Sequence, residues 1–117
     1  MSVFVSYAFD DKLKIRKVLD RLKEKGILSP HDEVVDSSAA MVPGSSLRRM
    51  LREAIESASK FVVVWSDEAD TSDWVNYETG MAEALGKPIL VVVPKGKASR
   101  VPGNLKDTQV IEIEEIK

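Results

Sequence analysis

Three stretches, Val3-Phe4-Val5-Ser6-Tyr7, Phe61-Val62-Val63-Val64-Trp65 and Ile89-Leu90-Val91-Val92-Val93, are β-branched or apolar almost without a break. A strand with one wet face alternates apolar and polar residues, whereas a strand covered on both faces runs apolar throughout. These three therefore read as central strands of a parallel sheet. Val34-Val35 is a weaker candidate. Val110 to Ile113 alternates, with Val110 and Glu112 facing one way and Ile111 and Ile113 the other, the pattern of an edge strand.

The segments between them carry a helical period. From Asp10 to Lys25, Ile15, Val18, Leu19 and Leu22 share one face, Lys14, Lys17, Arg21 and Glu24 cover the rest, and Gly26 supplies a stop. From Ser45 to Ser57, Leu47, Met50, Leu51, Ala54, Ile55 and Ala58 form a stripe opposite Arg48, Arg49, Arg52 and Glu56. Ser45 or Ser46 can cap that helix after the Pro43-Gly44 turn. A third helix is predicted from about Ser72 to Leu85, ended by Gly86 with Pro88 beyond. Pro94 to Thr108, with Pro94, Gly96, Pro102 and Gly103, reads as loop with at most one helical turn.

Strands alternating with helices imply right-handed crossovers and a parallel sheet sandwiched between helical layers. The simplest solution is a flavodoxin-like three-layer α/β sandwich. Its five-stranded sheet has the order 2-1-3-4-5 and helices on both faces. A length of 117 residues without a repeat or linker predicts one domain over 1–117.

Composition narrows the function classes. Seventeen basic and nineteen acidic residues give a net charge of −2, which offers no global attraction to nucleic acid or to an anionic membrane. The longest aliphatic run is far too short to span a bilayer. Cysteine is absent, which removes disulfides and thiol nucleophiles and suits a reducing compartment. Val3 follows Met1 almost directly, with no basic leader or apolar signal core, so the expected location is the cytoplasm.

In a sheet of this order, ligands bind beyond the carboxyl ends of the strands, where the strand order reverses. That crevice lies between the ends of the first and third strands. It receives Ser6 to Asp11 from one side and Trp65 to Glu68 from the other, with Asp36 to Gly44 as the neighbouring rim. On the third helix, Trp74, Val75, Tyr77, Met81, Ala82 and Leu85 make an apolar arc, and Glu78 falls inside it. A carboxylate there costs several kcal/mol unless it is paired or opens onto a polar cavity, and burial tends to raise its pKa. Glu78 is thus either a functional carboxylate or a structurally paired one.

These segments, in this order, resemble a TIR (Toll/interleukin receptor) domain of the compact bacterial type. The resemblance rests on Val3 to Ala8, Asp36 with the loop ending Val42-Pro43-Gly44, and the Leu47 to Ile55 helix. It continues through Val62 to Ser66, Asp73-Trp74-Val75-Asn76-Tyr77-Glu78 and Gly86-Lys87-Pro88-Ile89. The late Phe-Trp box of receptor-type members is missing, as is a final helix. The resemblance implies an NAD+ glycohydrolase or cyclase that cleaves the nicotinamide-ribose bond, releasing nicotinamide and ADP-ribose or a cyclised form of it, in bacterial defence or signalling. Glu78 would be catalytic, and Tyr7, Ala8, Phe9, Ser66 and Trp74 would line the substrate cleft. Asp36, Pro43 and Gly44 would belong to a loop through which copies self-associate. NAD+ is then substrate, with no resident cofactor or metal, and a separate sensor or effector protein is an expected partner.

Other readings stay on the table. Tyr7 and Trp74 could be core aromatics, Ser66 a strand-end hydrogen-bonding residue, and the 36–44 loop a plain connection. The chain could be a non-catalytic TIR interaction module. It could also be a phosphoacceptor receiver, given Asp10, Asp11 and Asp67, although Lys95 follows the fourth strand and not the fifth as a receiver requires. Arg48, Arg49 and Arg52 read as a solvated helix face. His31, Asp32, Glu33 and Asp36 could hold a divalent cation, with His31 more readily explained as an exposed loop residue. Gly80 to Lys87 has the wrong spacing and position for a phosphate loop.

Overall fold

Five parallel strands hydrogen-bond in the order β2-β1-β3-β4-β5 in the computed structural model of the chain. The structure describes residues 2–7, 12–35, 47–65, 73–96 and 109–114, without the side chains of 12–14, 47, 73 and 74. The strands are β1 (Ser2–Ser6), β2 (Glu33–Val35), β3 (Lys60–Val64), β4 (Ile89–Pro94) and β5 (Gln109–Ile113). The described helices are α1 (Lys12–Glu24), α2 (Leu47–Ser57) and α3 (Asp73–Ala84). Each element sits within about two residues of its expected bounds, the usual latitude for element ends.

The chain leaves β1 in one direction to reach β2 and returns to the other side of β1 for β3. Because crossovers keep one hand, this reversal puts α1 on one face of the sheet and α2 and α3 on the other. Side-chain alternation sorts the strands accordingly. Val3, Val5, Val62, Val64, Leu90 and Val92 pack with Ile15, Val18 and Leu22 of α1. Phe4, Phe61, Val63, Val91 and Val93 pack with Leu51 and Ile55 of α2 and with Val75 and Ala82 of α3. Phe4 and Phe61 are register partners, and their rings stack with centroids 5.6 Å apart. On the edge strand β5, Val110 joins the α2/α3 cluster while Ile111 and Ile113 join the α1 cluster, so the alternation read from the sequence holds.

Two glycines end helices as expected. Gly26 and Gly86 have φ of 74° and 68°. After each, an amide reaches back to close the last turn, Ile27 N–H to Leu22 O and Lys87 N–H to Ala82 O. This is the Schellman arrangement, which requires a left-handed residue where a side chain is disfavoured. Lys87 then extends its ammonium to the carbonyls of Glu56 and Ala58, the latter at 2.9 Å, at the C-terminal end of α2. A cation there meets the negative end of the helix dipole.

One packing expectation is corrected. Tyr77 was placed in the apolar arc of α3, yet it is 41% exposed, while Thr79 is buried. At about 100° per residue the two lie on opposite flanks of Glu78, and the buried arc is centred toward Val75 and Ala82, on the Thr79 flank. Thr79 is accommodated by donating its hydroxyl to Val75 O at 2.7 Å, one turn back.

Candidate functional site

The reversal of strand order brings together the last residue of β1 and the middle of α3. Period-two alternation puts Ser6 on the same sheet face as Phe4, toward α2 and α3. On α3, Glu78 follows Val75 by three residues and precedes Ala82 by four, and both neighbours are fully buried. All three therefore face the sheet. Ser6 Oγ donates to Glu78 Oε1 at 3.0 Å, and each residue is 1% exposed. Burying a carboxylate among Val, Leu and Phe costs several kcal/mol, and a hydroxyl donor offsets part of that. The acid that helix geometry placed inside an apolar face is indeed inside the protein, held by the sheet face that α3 covers.

Trp65 follows β3 directly. Its backbone N–H donates to Val92 O at 2.7 Å, and its ring is buried in the cluster that contains Val75. The register pairs Ser6 with Val63, so Trp65 lies two residues beyond that partner on the same face. Its indole Nε1 is buried with no hydrogen-bond partner among the described residues.

Of the other expected site residues, Tyr7 is the one whose side chain is among the described residues. The Tyr7 side chain is half-buried against the α1 cluster, on the opposite sheet face from Glu78. Ala8, Phe9, Ser66, Asp36, Pro43 and Gly44 lie outside the described residues, as does the side chain of Trp74 and the Ser45 or Ser46 cap. The receiver candidates Asp10, Asp11 and Asp67 lie outside them too. Ser6 was legible as a crevice residue but not as the partner of Glu78. The signal that could have found it is alternation, since a serine two positions after Phe4 shares the face that α3 covers.

His31 is exposed, and the Asp32 carboxylate accepts the Ser29 N–H at 2.9 Å. No group of three metal-ligating side chains occurs among the described residues. Arg49 and Arg52 pair with Glu53 and Glu56 along α2 at 3.2 and 3.8 Å, as a solvated face does. A groove of about 260 Å³ on the α1 side of β5 is lined by Arg21, Lys25, Lys95, Glu112, Ile113 and Glu114. There Lys95 and Glu114 pair at 2.9 Å. Their hydrogen bond and mutual attraction raise the lysine pKa and lower that of the carboxyl. No described helix is long and apolar enough to cross a membrane.

Residues 3–116 match the family model of the TIR domain. The chain belongs to the TIR domain family. A relative from Methanobrevibacter olleyae, named as a probable 2' cyclic ADP-D-ribose synthase TcpO, is 30% identical over 77 residues. That match covers 65% of this TIR domain but 21% of the relative, so this chain corresponds to about a fifth of that protein. Solved structures agree on the fold. The TIR domain of the Toll-related receptor TRR-2 from Hydra magnipapillata matches with TM-score 0.69 and 18% identity, over 94% of this chain and 82% of that one. The TIR domains of the Roq1 resistosome, bound to the pathogen effector XopQ, match with TM-score 0.63 and 24% identity, over 86% and 61%. The CMP N-glycosidase BcmB of Clostridium botulinum matches with TM-score 0.62 and 20% identity, over 97% and 90%.

Proposed function

We propose that this TIR domain cleaves the nicotinamide-ribose bond of NAD+, with Glu78 as the catalytic carboxylate. The observation that carries the reading is the Ser6–Glu78 pair: an acid buried at the end of the sheet where ligands of this fold sit, and oriented by a hydroxyl from the adjacent strand. The names of two relatives point the same way. One is a probable synthase of a cyclised ADP-ribose and the other an N-glycosidase, so both concern a bond at a ribose carbon.

The chemistry suits a single acid. When the C1'–N bond breaks, its electron pair goes to the pyridinium nitrogen and nicotinamide leaves neutral, so no acid is needed to protonate it. Positive charge builds on the ribose as oxocarbenium character. A carboxylate fixed beside C1' stabilises that charge and can hold the ribose hydroxyls. Water then attacks C1' and loses a proton to give ADP-ribose, or a hydroxyl of the same molecule attacks to give a cyclic product. Ser6 keeps the carboxylate from rotating away. Self-association through the loop carrying Asp36, Pro43 and Gly44 is part of this proposal and would bring a second copy to the crevice rim.

The test is incubation of concentrated protein with NAD+ while nicotinamide release is followed. Wild type should turn over, more per molecule as concentration rises, and Glu78→Ala should not. Equal rates remove Glu78 from the role. Absence of turnover in wild type at all concentrations favours a TIR interaction module.

A further inference from the structure

Trp65 poses a problem that its neighbours do not. Valine, leucine, isoleucine, phenylalanine and alanine fill the rest of the α2/α3 cluster and bring no polar atoms from their side chains. Trp65 is 3% exposed, and its indole Nε1–H has no hydrogen-bond partner among the described residues. A leucine or phenylalanine would fill apolar space without stranding a donor. Buried donors are nearly always satisfied, and one that is not calls for a ligand, a water or a functional explanation.

Position favours the ligand. Trp65 stands at the carboxyl end of β3, one of the two strands that border the crevice. Its backbone is pinned by the N–H bond to Val92 O. Ser6, which touches Glu78, is in the neighbouring strand on the same face, and Val75, one turn before Glu78, shares the cluster with the indole. The stranded donor and the buried acid therefore belong to one region of the site. A carboxylate can only accept hydrogen bonds, whereas the indole can only donate. Together they offer a ribosyl-nicotinamide both kinds of partner.

We infer that the Trp65 indole N–H is a substrate-binding donor, taking an oxygen of the ribosyl-nicotinamide half of NAD+, a ribose hydroxyl or the carboxamide carbonyl. The inference rests on the function proposed above and adds a specificity-determining contact to it. In the free protein the donor is unsatisfied among the described residues. On binding, the substrate oxygen satisfies it, so part of the affinity comes from relieving a penalty that the folded chain already carries.

The chain contains two tryptophans, Trp65 and Trp74, so protein labelled with 15N at the indoles gives two indole N–H resonances, which Trp65→Phe assigns. NAD+ is titrated into Glu78→Gln protein, which binds without turnover. The Trp65 resonance should move downfield as binding saturates, and adding Trp65→Phe should weaken NAD+ binding about tenfold. AMP, which lacks the ribosyl-nicotinamide half, should bind equally with and without Trp65. ADP-ribose separates the two oxygens: weakened binding of it by Trp65→Phe identifies a ribose hydroxyl, and unchanged binding identifies the carboxamide. A Trp65 resonance that stays put while NAD+ saturates overturns the inference and leaves the role of Glu78 standing, as does an unchanged NAD+ affinity. Failure of wild type to bind or cleave NAD+ overturns both. Should Trp65→Phe fold poorly, the titration of the protein that keeps Trp65 still decides.

Discussion

Ser6 and Glu78 are 72 residues apart in the chain and joined by a hydrogen bond of 3.0 Å in a buried site. Removing the hydroxyl leaves a buried carboxylate without that donor. Ser6→Ala should lower the rate of nicotinamide release about tenfold with little change in KM, because the carboxylate loses orientation and not its charge. It should also cost about 1–2 kcal/mol of stability, read from denaturant melts. An unchanged rate would make the pair purely structural.

Glu78→Gln keeps the size of the side chain and an oxygen for Ser6 to donate to, but removes the charge. A charge buried in an apolar layer is retained at a cost to stability, so this variant should melt at or above the wild-type temperature while losing turnover. A loss of more than about 2 kcal/mol would instead mark Glu78 as one half of a structural ion pair.

Lys87 holds the carbonyls of Glu56 and Ala58 at the C-terminal end of α2, near the amino ends of the strands and away from Glu78. Lys87→Met should destabilise the protein by about 1–2 kcal/mol in denaturant melts. KM and kcat should stay as in wild type.

Gly26→Ala and Gly86→Ala each force a Cβ onto a left-handed backbone, although beyond the adjoining residues no heavy atom lies within 4 Å of the new methyl. The expected penalty is therefore conformational alone, about 1 kcal/mol per site. Because the two sites share no contact, the double variant should lose the sum in thermal or denaturant melts.

The Lys95–Glu114 pair is largely exposed. Glu114 has a lowered pKa, so its contribution is present above the ordinary carboxylate range and fades as pH falls through the lowered value. Lys95 has a raised pKa, so its contribution is present below the ordinary lysine value and fades as pH rises through the raised one. Across neutral pH the pair is constant and screened by solvent. Glu114→Gln should leave the melting temperature unchanged within error at pH 7, and added salt should not separate variant from wild type.

The layers were readable because three strands are apolar on both sides, and the order 2-1-3-4-5 follows once helices alternate with them. Glu78 was readable because helix geometry alone puts it between Val75 and Ala82. The opposite placement of Tyr7 was concealed by that same continuity: a strand apolar throughout hides which of its residues face which layer until a helix is assigned to each side. Tyr77 was misplaced because an apolar arc fixes a helix face to within about one residue on either flank, and Thr79, with its hydroxyl folded back on Val75, could take the buried flank instead. The Trp65 donor belongs to a different category. A tryptophan in an apolar run reads as bulk, and whether its N–H finds a partner is a property of the assembled site.

The bond from Ser6 to Glu78 also orders events in time. β1 leaves the ribosome before α3, and the carboxylate meets the hydroxyl only once α3 has docked on the sheet face that carries Ser6. A nascent or truncated chain ending before α3 has the strand but not the acid, and so cannot assemble the buried pair before α3 is in place.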